Sequence, residues 1–509
     1  MYRALTAFEA RALEERAVAE QGVTLAALMQ AAGAAVAEEL SARVPEGDLV
    51  VLAGAGNNGG DGWVAARDLH AGGRRVRVLS ARAPHELPGI AGDAAREAIA
   101  AGVPYAVHAG SLPDDALAEV AGVADGLLGI GASGPLREPF ASWVEVANAS
   151  EAYLLAIDLP TGVGADSGVV LGPAIEADCT VTFTAPKRGL VTYPAASFAG
   201  DVVVADIGIE VNPAEVASAP ELWTAEEYAE LLPLPAANAH KDSRGRVLVV
   251  AGSGAYPGAA ILAARGAMRA GAGYVTLAVP QAVVPIAQAH LVAAPVVGMV
   301  QGKTHAFAST AATALLQLAR EYDAIVLGPG LTLADGAVAT ARALVAQADM
   351  PLVIDADALN ALVDATELIA MRKAPTILTP HPGELGRLLG IDVRAVQSDR
   401  LAASARLATD TCAVVLKGAA TVISCGNRQV INVSGTPALA TAGTGDVLAG
   451  IMGAFLAQGL SPLAAGALAA YVHGRAGEAA AAALTPVSVI SEDIPEYVPA
   501  AIAELLGAW

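Results

Sequence analysis

NVSGTPALATAGTGDVLAGIMG, residues 432–453, passes from a glycine-rich turn (Gly443-Thr444-Gly445) through one acid, Asp446, into an apolar segment with the character of a buried helix. Small residues at a helix start let backbone N–H groups point into one concavity, where the helix dipole favours an anion. A carboxylate beside such a nest repels phosphate unless it takes the proton from a hydroxyl that is being phosphorylated. GTGD alone is also compatible with a tight turn and a helix-capping Asp. The rest of the chain separates the two readings.

Upstream of this stretch the second half reads as α/β. Residues 247–251 suit a strand, 259–270 a helix and 274–279 a strand. Further apolar runs follow at 323–331, 351–360, 376–390 and 412–424. Each ends in glycine or a polar residue, which predicts a large sheet wrapped by helices with its site along one edge. His381 stands between two prolines in TPHPGE, either exposed in its turn or touching a ligand. Lys417 is a phosphate partner or an ordinary strand-end lysine. Asp355, Asp357 and Asn360 read as caps of the following helix, with water-mediated Mg2+ binding as the alternative.

The first half opens with helical periodicity over residues 1–40, with Leu25, Leu28 and Met29 on one face. A βαβ unit follows: strand 49–53, glycine loop 54–62, helix 63–71, strand 76–79. The loop, GAGNNGGDG, lacks the Gly-Lys-Ser/Thr ending of a phosphate-binding P-loop. Gly54, Gly56 and Gly59 match the dinucleotide spacing only literally, and the Asn and Asp content suggests binding through oxygens as well as N–H groups. Asp125 lies in the run 123–130, which leads into GIGASGP (129–135). Asp158 ends a strand before a Pro-Thr-Gly turn, and CTVTFTAPKRGL (179–190) carries Lys187 and Arg188. These strands predict a parallel sheet whose loops converge on one rim. A lone Asp at a strand end is normally a turn former; Asp125 and Asp158 on neighbouring loops can instead hold a cation or act as acid and base.

Between about residues 210 and 240 the pattern lapses into Pro-, Ala- and Asn-rich sequence. The expected division is a first domain at 1–215, a linker at 216–239 and a second domain at 240–509.

The 509 residues exceed one ordinary domain. With 54% hydrophobic and 16% charged residues, large cores are available. The net charge of -21 argues against a nucleic-acid surface without forbidding local phosphate sites. Cys179, Cys412 and Cys425 form neither a disulfide framework nor a zinc pattern, and the N-terminal segment lacks a secretory h-region. The expected setting is therefore a reduced cytoplasm. The uncharged run 447–472 is broken by glycine and proline into pieces too short to span a membrane. Alanine-rich helices suit a homo-oligomer.

In order, GSGAYPGA, LGPGL, IDADALN, LTPHPGEL, LKGAATVI and ATAGTGDVLAG resemble the ADP- or ATP-dependent NAD(P)H-hydrate dehydratases of the ribokinase-like superfamily, over nearly all of 240–490. GAGNNGGDG, DGLLGIGASG, IDLPTG and TFTAPKRGL resemble the NAD(P)H-hydrate epimerases over about 1–215. Fusion of the two is the arrangement of the bifunctional NAD(P)H-hydrate repair enzymes of bacteria. The resemblance implies a Rossmann-like domain followed by a ribokinase-like one. In the first, Asn57, Asn58, Gly59, Gly60, Asp61 and the segment Gly129, Ile130, Gly131, Ala132, Ser133, Gly134, Pro135 would hold substrate. Asn58, Asp125 and Thr161 would bind K+, and Asp158 would be the acid/base. In the second, Ala259, Gly330 and His381 would contact the hydrated nicotinamide. Lys417, Gly418, Ala419, Ala420 and Thr421, with Gly443, Thr444 and Gly445, would hold the adenine nucleotide. Asp446 would touch substrate as base, and Mg2+ would accompany the nucleotide, with ADP the expected donor.

Some positions depart from the family pattern. Thr161 replaces the usual Ser but keeps the hydroxyl, Ile130 stands where Thr is common, and HKDSRGR leaves the role of Lys241 open. Two other functions fit parts of the chain. One is a ribokinase-like kinase of a small alcohol with an accessory first domain, and the other is a first domain that only binds a dinucleotide.

Overall fold

The computed structural model describes residues 2–132 and 134–507. The chain divides between Pro220 and Glu221 into two compact units.

In the first unit seven parallel strands run in the order Tyr105–Val107, Val76–Ser80, Asp48–Ala53, Val120–Gly126, Tyr153–Ile157, Cys179–Phe183, Asp201–Ala205. The chain moves outward from Asp48–Ala53 on one side and then returns to its other side at Val120–Gly126. That reversal opens a crevice at the carboxyl ends of the two strands. The near-continuous burial of the central strands is what helices on both faces require.

The glycine segment differs from its expected form. The helix begins at Asn57, not at 63, and runs to Ala71, so NNGGDG is helical rather than loop. Its glycines are needed for close approach. A Cβ on Gly59 would stand 2.0 Å from the Gly54 carbonyl oxygen, and one on Gly62 2.8 Å from Val51 Cγ1. Helix propensity alone disfavours such a run; the packing of this helix onto the strand overrides it.

The second unit carries strands in the order Glu221–Leu222, Arg428–Asn432, Thr421–Cys425, Cys412–Leu416, Thr376–Leu378, Leu352–Ile354, Ala324–Leu327, Arg246–Val250, Tyr274–Pro280, Val296–Met299. From Cys412–Leu416 to Val296–Met299 the neighbours are parallel, whereas Cys412–Leu416, Thr421–Cys425 and Arg428–Asn432 form antiparallel pairs. The run 412–424 is therefore two strands joined by a turn. Its switch point lies between Arg246–Val250 and Ala324–Leu327.

Helix Thr444–Ala457 packs on helix Pro257–Arg269 through small residues: a Cβ on Gly450 would lie 2.0 Å from the Ala263 carbonyl oxygen, and one on Gly266 2.3 Å from that of Val447. Close backbone approach, with Val447, Ile451 and Phe455 buried, fixes where the first turn of Thr444–Ala457 ends up. The uncharged run divides into this helix and Pro462–Leu484, and among the described residues no helix is long and apolar enough to cross a membrane.

The stretch 216–239, expected as a linker, holds structure of its own. Val216 and Ala219 are buried in the first unit's core. Glu221–Leu222 joins the second sheet, and Tyr228 of helix Ala225–Glu230 is buried in the second unit's core. Elements of two to six residues leave too short a pattern to read among Pro and Ala.

Candidate active sites

At the first unit's crevice, register sets Asp125 beside Leu52 and Ala156 near the carboxyl ends of their strands. Its Oδ2 accepts from the Thr161 amide at 2.7 Å, and its Oδ1 accepts from Thr161 Oγ1 at 2.8 Å and the Leu127 amide at 3.2 Å. The Leu128 amide donates to Thr161 Oγ1 at 3.1 Å, and Asn58 Nδ2 donates to the Leu128 carbonyl at 3.0 Å. The structure thus gathers Asn58, Asp125 and Thr161 into one knot of oxygen-rich groups. Asp125 is 1% exposed and has no ion-pair partner among the described residues. Burial pushes its carboxyl up to about 6, against the lowering effect of the Thr161 and Leu127 bonds.

Asp158 follows strand Tyr153–Ile157 in the left-handed region, φ +66, a conformation that costs about 1 kcal/mol and needs its surroundings to hold it. Its amide donates to Val181 O at 2.8 Å. Oδ1 accepts from Lys187 Nζ at 2.5 Å and Thr182 Oγ1 at 3.1 Å, and the ammonium also donates to the Phe183 carbonyl at 3.1 Å. Both members of this ion pair are buried. Two more carboxyls feel the same centre. Asp61, on the glycine-bearing helix, is pushed well above its ordinary value by burial and then by Asp158 and Glu14, with Lys187 opposing. Glu14, on helix Ala7–Glu20, is raised by burial and by Asp158. Asp61 therefore has its proton affinity raised beside an acid paired with an ammonium. Glu14 carried no signal in the sequence. Lys187 stood in a motif without a role, because its pairing spans 29 positions.

Of the remaining expected positions, Asn57 is exposed at the helix start, and Asn58, Gly59 and Gly60 are buried. Gly129 abuts the Asn58 side chain, Ile130 accepts from Arg11 Nη2 at 3.2 Å, and a Cβ on Gly131 would lie 3.3 Å from the same nitrogen. Ala132 donates back to Gly129 O at 3.1 Å, and Gly134 (φ +81) and Pro135 follow. Ser133 lies outside the described residues.

In the second unit the turn between Cys412–Leu416 and Thr421–Cys425 presents Lys417, Gly418 (φ +137), Ala419 and Ala420 (φ +51), closed by Thr421 Oγ1 donating to Gly418 O at 2.8 Å. Lys417 Nζ pairs with Asp355 Oδ1 at 2.8 Å and lies 3.9 Å from Glu384. A Cβ on Gly445 would stand 3.4 Å from the same nitrogen, so the turn meets the start of helix Thr444–Ala457. Gly443 caps that helix with φ +98. The expected nest is reduced here: Thr444 N donates to Thr441 O at 3.4 Å and Asp446 N to Gly443 O at 3.1 Å, while the Gly443 and Gly445 amides have no such partner among the described residues. His473, buried on helix Pro462–Leu484, lies 3.0 Å from Thr444 O through Nε2, and burial lowers it to about 4, so it stays neutral.

Asp446 is pushed up to about 8, first by burial and then by Asp355; Lys417 opposes and Asp357 adds. The favoured capping role of Asp355 is not what the structure shows. It occupies the N-cap of Ala356–Asn360 but makes no capping bond, spending Oδ1 on Lys417 and on Thr379 Oγ1 at 2.6 Å. Asp357 accepts from the Thr332 amide at 2.8 Å, and Asn360 Oδ1 from Arg387 Nε at 3.0 Å. His381 caps helix Pro382–Leu389: Nδ1 accepts from the Gly383 amide at 3.0 Å, and Glu384 returns a bond to the His381 amide at 2.8 Å. Burial and then Lys417 and Arg387 lower its basicity. Ala259 and Gly330 come together apart from this cluster, since a Cβ on Gly330 (φ +65) would lie 2.9 Å from Ala259 Cβ and 2.8 Å from Tyr256 Cβ.

A buried acid on a lysine at the carboxyl edge of one sheet, and an acid at a helix start beside a lysine turn at the carboxyl edge of the other, define a two-site α/β enzyme. Two family models match, described as NAD(P)H-hydrate dehydratase over residues 247–500 and YjeF-related protein N-terminus over 25–189. The bifunctional NAD(P)H-hydrate repair enzyme of Moorella thermoacetica is 37% identical over 98% of this chain and 97% of its own length, and that of Salinibacter ruber 39% over 99% and 96%. The crystal structure of the ADP/ATP-dependent NAD(P)H-hydrate dehydratase from Bacillus subtilis, co-crystallised with ATP/Mg2+, is 30% identical, covering 56% of this chain and 99% of that one, with a TM-score of 0.49. The chain belongs to the family of bifunctional NAD(P)H-hydrate repair enzymes.

Proposed function

We propose that the second unit dehydrates S-NAD(P)H hydrate at the expense of ADP or ATP, and that the first unit interconverts the R and S forms. The observation that carries the reading is Asp446 in the first turn of its helix, next to Gly445, whose backbone meets Lys417 Nζ, with its carboxyl raised to about 8. Asp446 takes the proton from the C6 hydroxyl as the oxygen is phosphorylated. Lys417, positioned by Asp355 and Glu384, offsets charge on the transferring group, and the Gly445 amide offers a hydrogen bond. The C6–O bond then breaks with phosphate as leaving group and electron push from the ring nitrogen, and loss of a proton from C5 closes the C5=C6 double bond and restores reduced nicotinamide. Mg2+ accompanies the nucleotide on its phosphates. When bound, it would supply charge neutralisation. ADP is the preferred donor, giving AMP and phosphate. His381, Ala259 and Gly330 are assigned to contact the hydrated ring.

In the first unit Asp158 acts as acid/base at C6, with Lys187 holding its orientation. Asn58, Asp125, Thr161 and the Leu128 carbonyl present hard oxygens around a buried carboxylate that has no cationic partner among the described residues, a donor set that fits K+ and would gain a counter-charge from it. A cytoplasmic homo-oligomer is the proposed setting, supported by free cysteines and alanine-rich helices. The test is to supply S-hydrate with ADP or ATP and follow reduced-nicotinamide absorbance and phosphate together. The expected result is one phosphate per NAD(P)H restored. A stable phosphorylated product without absorbance recovery would instead establish the small-alcohol kinase.

A further inference from the structure

Arg400 opens helix Arg400–Ala405 and is 7% exposed, yet it has no carboxylate partner within ion-pair distance among the described residues. Its bonds all go to neutral oxygens: Nη1 to Gln397 Oε1 at 2.8 Å, and Nη2 to the Leu416 carbonyl at 3.0 Å and the Lys417 carbonyl at 3.3 Å. Nε is buried and has no hydrogen-bond partner. Burial alone lowers the guanidinium to about 10. An unpaired buried cation is normally avoided, because its desolvation is not repaid by a counter-charge. The guanidinium lies against the turn of the Lys417 hairpin: a Cβ on Gly418 would stand 3.3 Å from both Nη1 and Nη2. Gly418 is thus constrained twice, by φ +137 and by this contact.

We propose that Arg400 is a positioning residue for nucleotide binding, pinning the Leu416 and Lys417 carbonyls so that the 417–421 turn is preformed, and lending its uncompensated positive charge to the phosphates held there. The inference rests on the nucleotide reading of this turn given above. It explains why a buried guanidinium is kept without an acid. A carboxylate there would cancel the field at the turn, whereas main-chain carbonyls fix the fork's geometry and leave its charge.

The experiment uses the full chain. ADP and ATP binding are measured by calorimetry, and dehydration of S-hydrate by absorbance, for the wild type, Arg400→Gln and Arg400→Lys; R/S interconversion serves as the internal control. Expected is about a tenfold loss of nucleotide affinity in Arg400→Gln, seen as a raised nucleotide KM with kcat changed far less. Arg400→Lys keeps the charge and loses the fork, so its affinity should lie above that of Arg400→Gln and still more than twofold below wild type. Epimerisation should be unchanged in both. Affinity within twofold of wild type in either folded variant, or equal loss in kcat with KM unchanged, overturns the proposal. If Arg400→Gln fails to fold, Arg400→Lys decides by the same criterion. A wild type that binds neither nucleotide defeats the nucleotide reading itself, a different result from wild-type binding that the variants leave intact.

Discussion

The two units obey one topological rule and use it differently. Each sheet reverses its strand order once, and each candidate site gathers residues that follow the carboxyl ends of parallel strands: next to the reversal in the first unit, and away from it, after Leu352–Ile354 and Cys412–Leu416, in the second. In the first unit the acid is buried on an ammonium: Asp158 and Lys187 are 2.5 Å apart, and neighbouring acids compete for the same charge. In the second the lysine is turned toward Asp355 and Glu384, and Asp446 stands beside it with its carboxyl raised to about 8. The difference matches the chemistry each unit is assigned. Reversible proton traffic needs an acid held in place with donors around it, whereas attack on a phosphoryl group needs a base whose proton affinity lies near working pH.

The largest expected effect separates the two acids. Asp446→Asn should lower nucleotide-dependent dehydration by about 10^3-fold while R/S interconversion continues, and Asp158→Asn should do the reverse. Rates of the two reactions measured on the same preparations check this; one variant that removes both activities would break the distinction.

Next is Lys187→Met, which leaves Asp158 buried without its partner. Chemical denaturation of the full chain should show the first unit destabilised by about 3–5 kcal/mol, with the second unit's transition unmoved. An unchanged transition for the first unit would mean that the pair contributes nothing to holding Asp158.

The pH response sharpens the contrast further. In the nucleotide-free chain Asp446 is protonated at pH 7, so kcat/KM for dehydration should rise about tenfold per pH unit below about 7 and level off above 8. Stability has the opposite sign. The folded chain binds a proton that the unfolded carboxyl releases near 3.8, so this contribution is complete below that value and is lost as pH rises through about 8. Asp446→Asn should therefore flatten the fall in melting temperature across that interval, while Asp158→Asn should not.

The smallest effect is at the Asp125 knot. K+ should raise the melting temperature of the first unit modestly, and more so as pH rises through about 6, because the cation competes with the proton on Asp125. Asp125→Asn should abolish the K+ dependence, as followed by thermal melts in K+ against a large organic cation.

Much of this contrast is legible in the sequence, unevenly. The central strands announce themselves as apolar runs ending in glycine or a polar residue. Edge strands such as Tyr105–Val107 and Val296–Met299 are short and partly exposed, and give no such run. The glycines of NNGGDG suggest a loop because glycine usually marks conformational freedom; here they sit inside a helix that other backbone touches. Asp125 and Asp158 are visible as strand-end acids. Whether an acid is paired depends on residues distant in the chain, so the Lys187 partnership, the proximity of Glu14 and the unpaired charge of Arg400 are visible only in three dimensions. Asp355 misleads for the same reason: a helix-start Asp reads locally as a cap, but Lys417, 62 positions away, claims its carboxylate.

The most direct test of the two-site account is recovery of reduced-nicotinamide absorbance from a mixture of R and S hydrates with ADP or ATP, run side by side on the wild type, Asp158→Ala and Asp446→Asn. The wild type should recover all of the absorbance, Asp158→Ala only the S fraction, and Asp446→Asn none. Full recovery by Asp158→Ala at the wild-type rate, or any sustained recovery by Asp446→Asn, would contradict the two-site account.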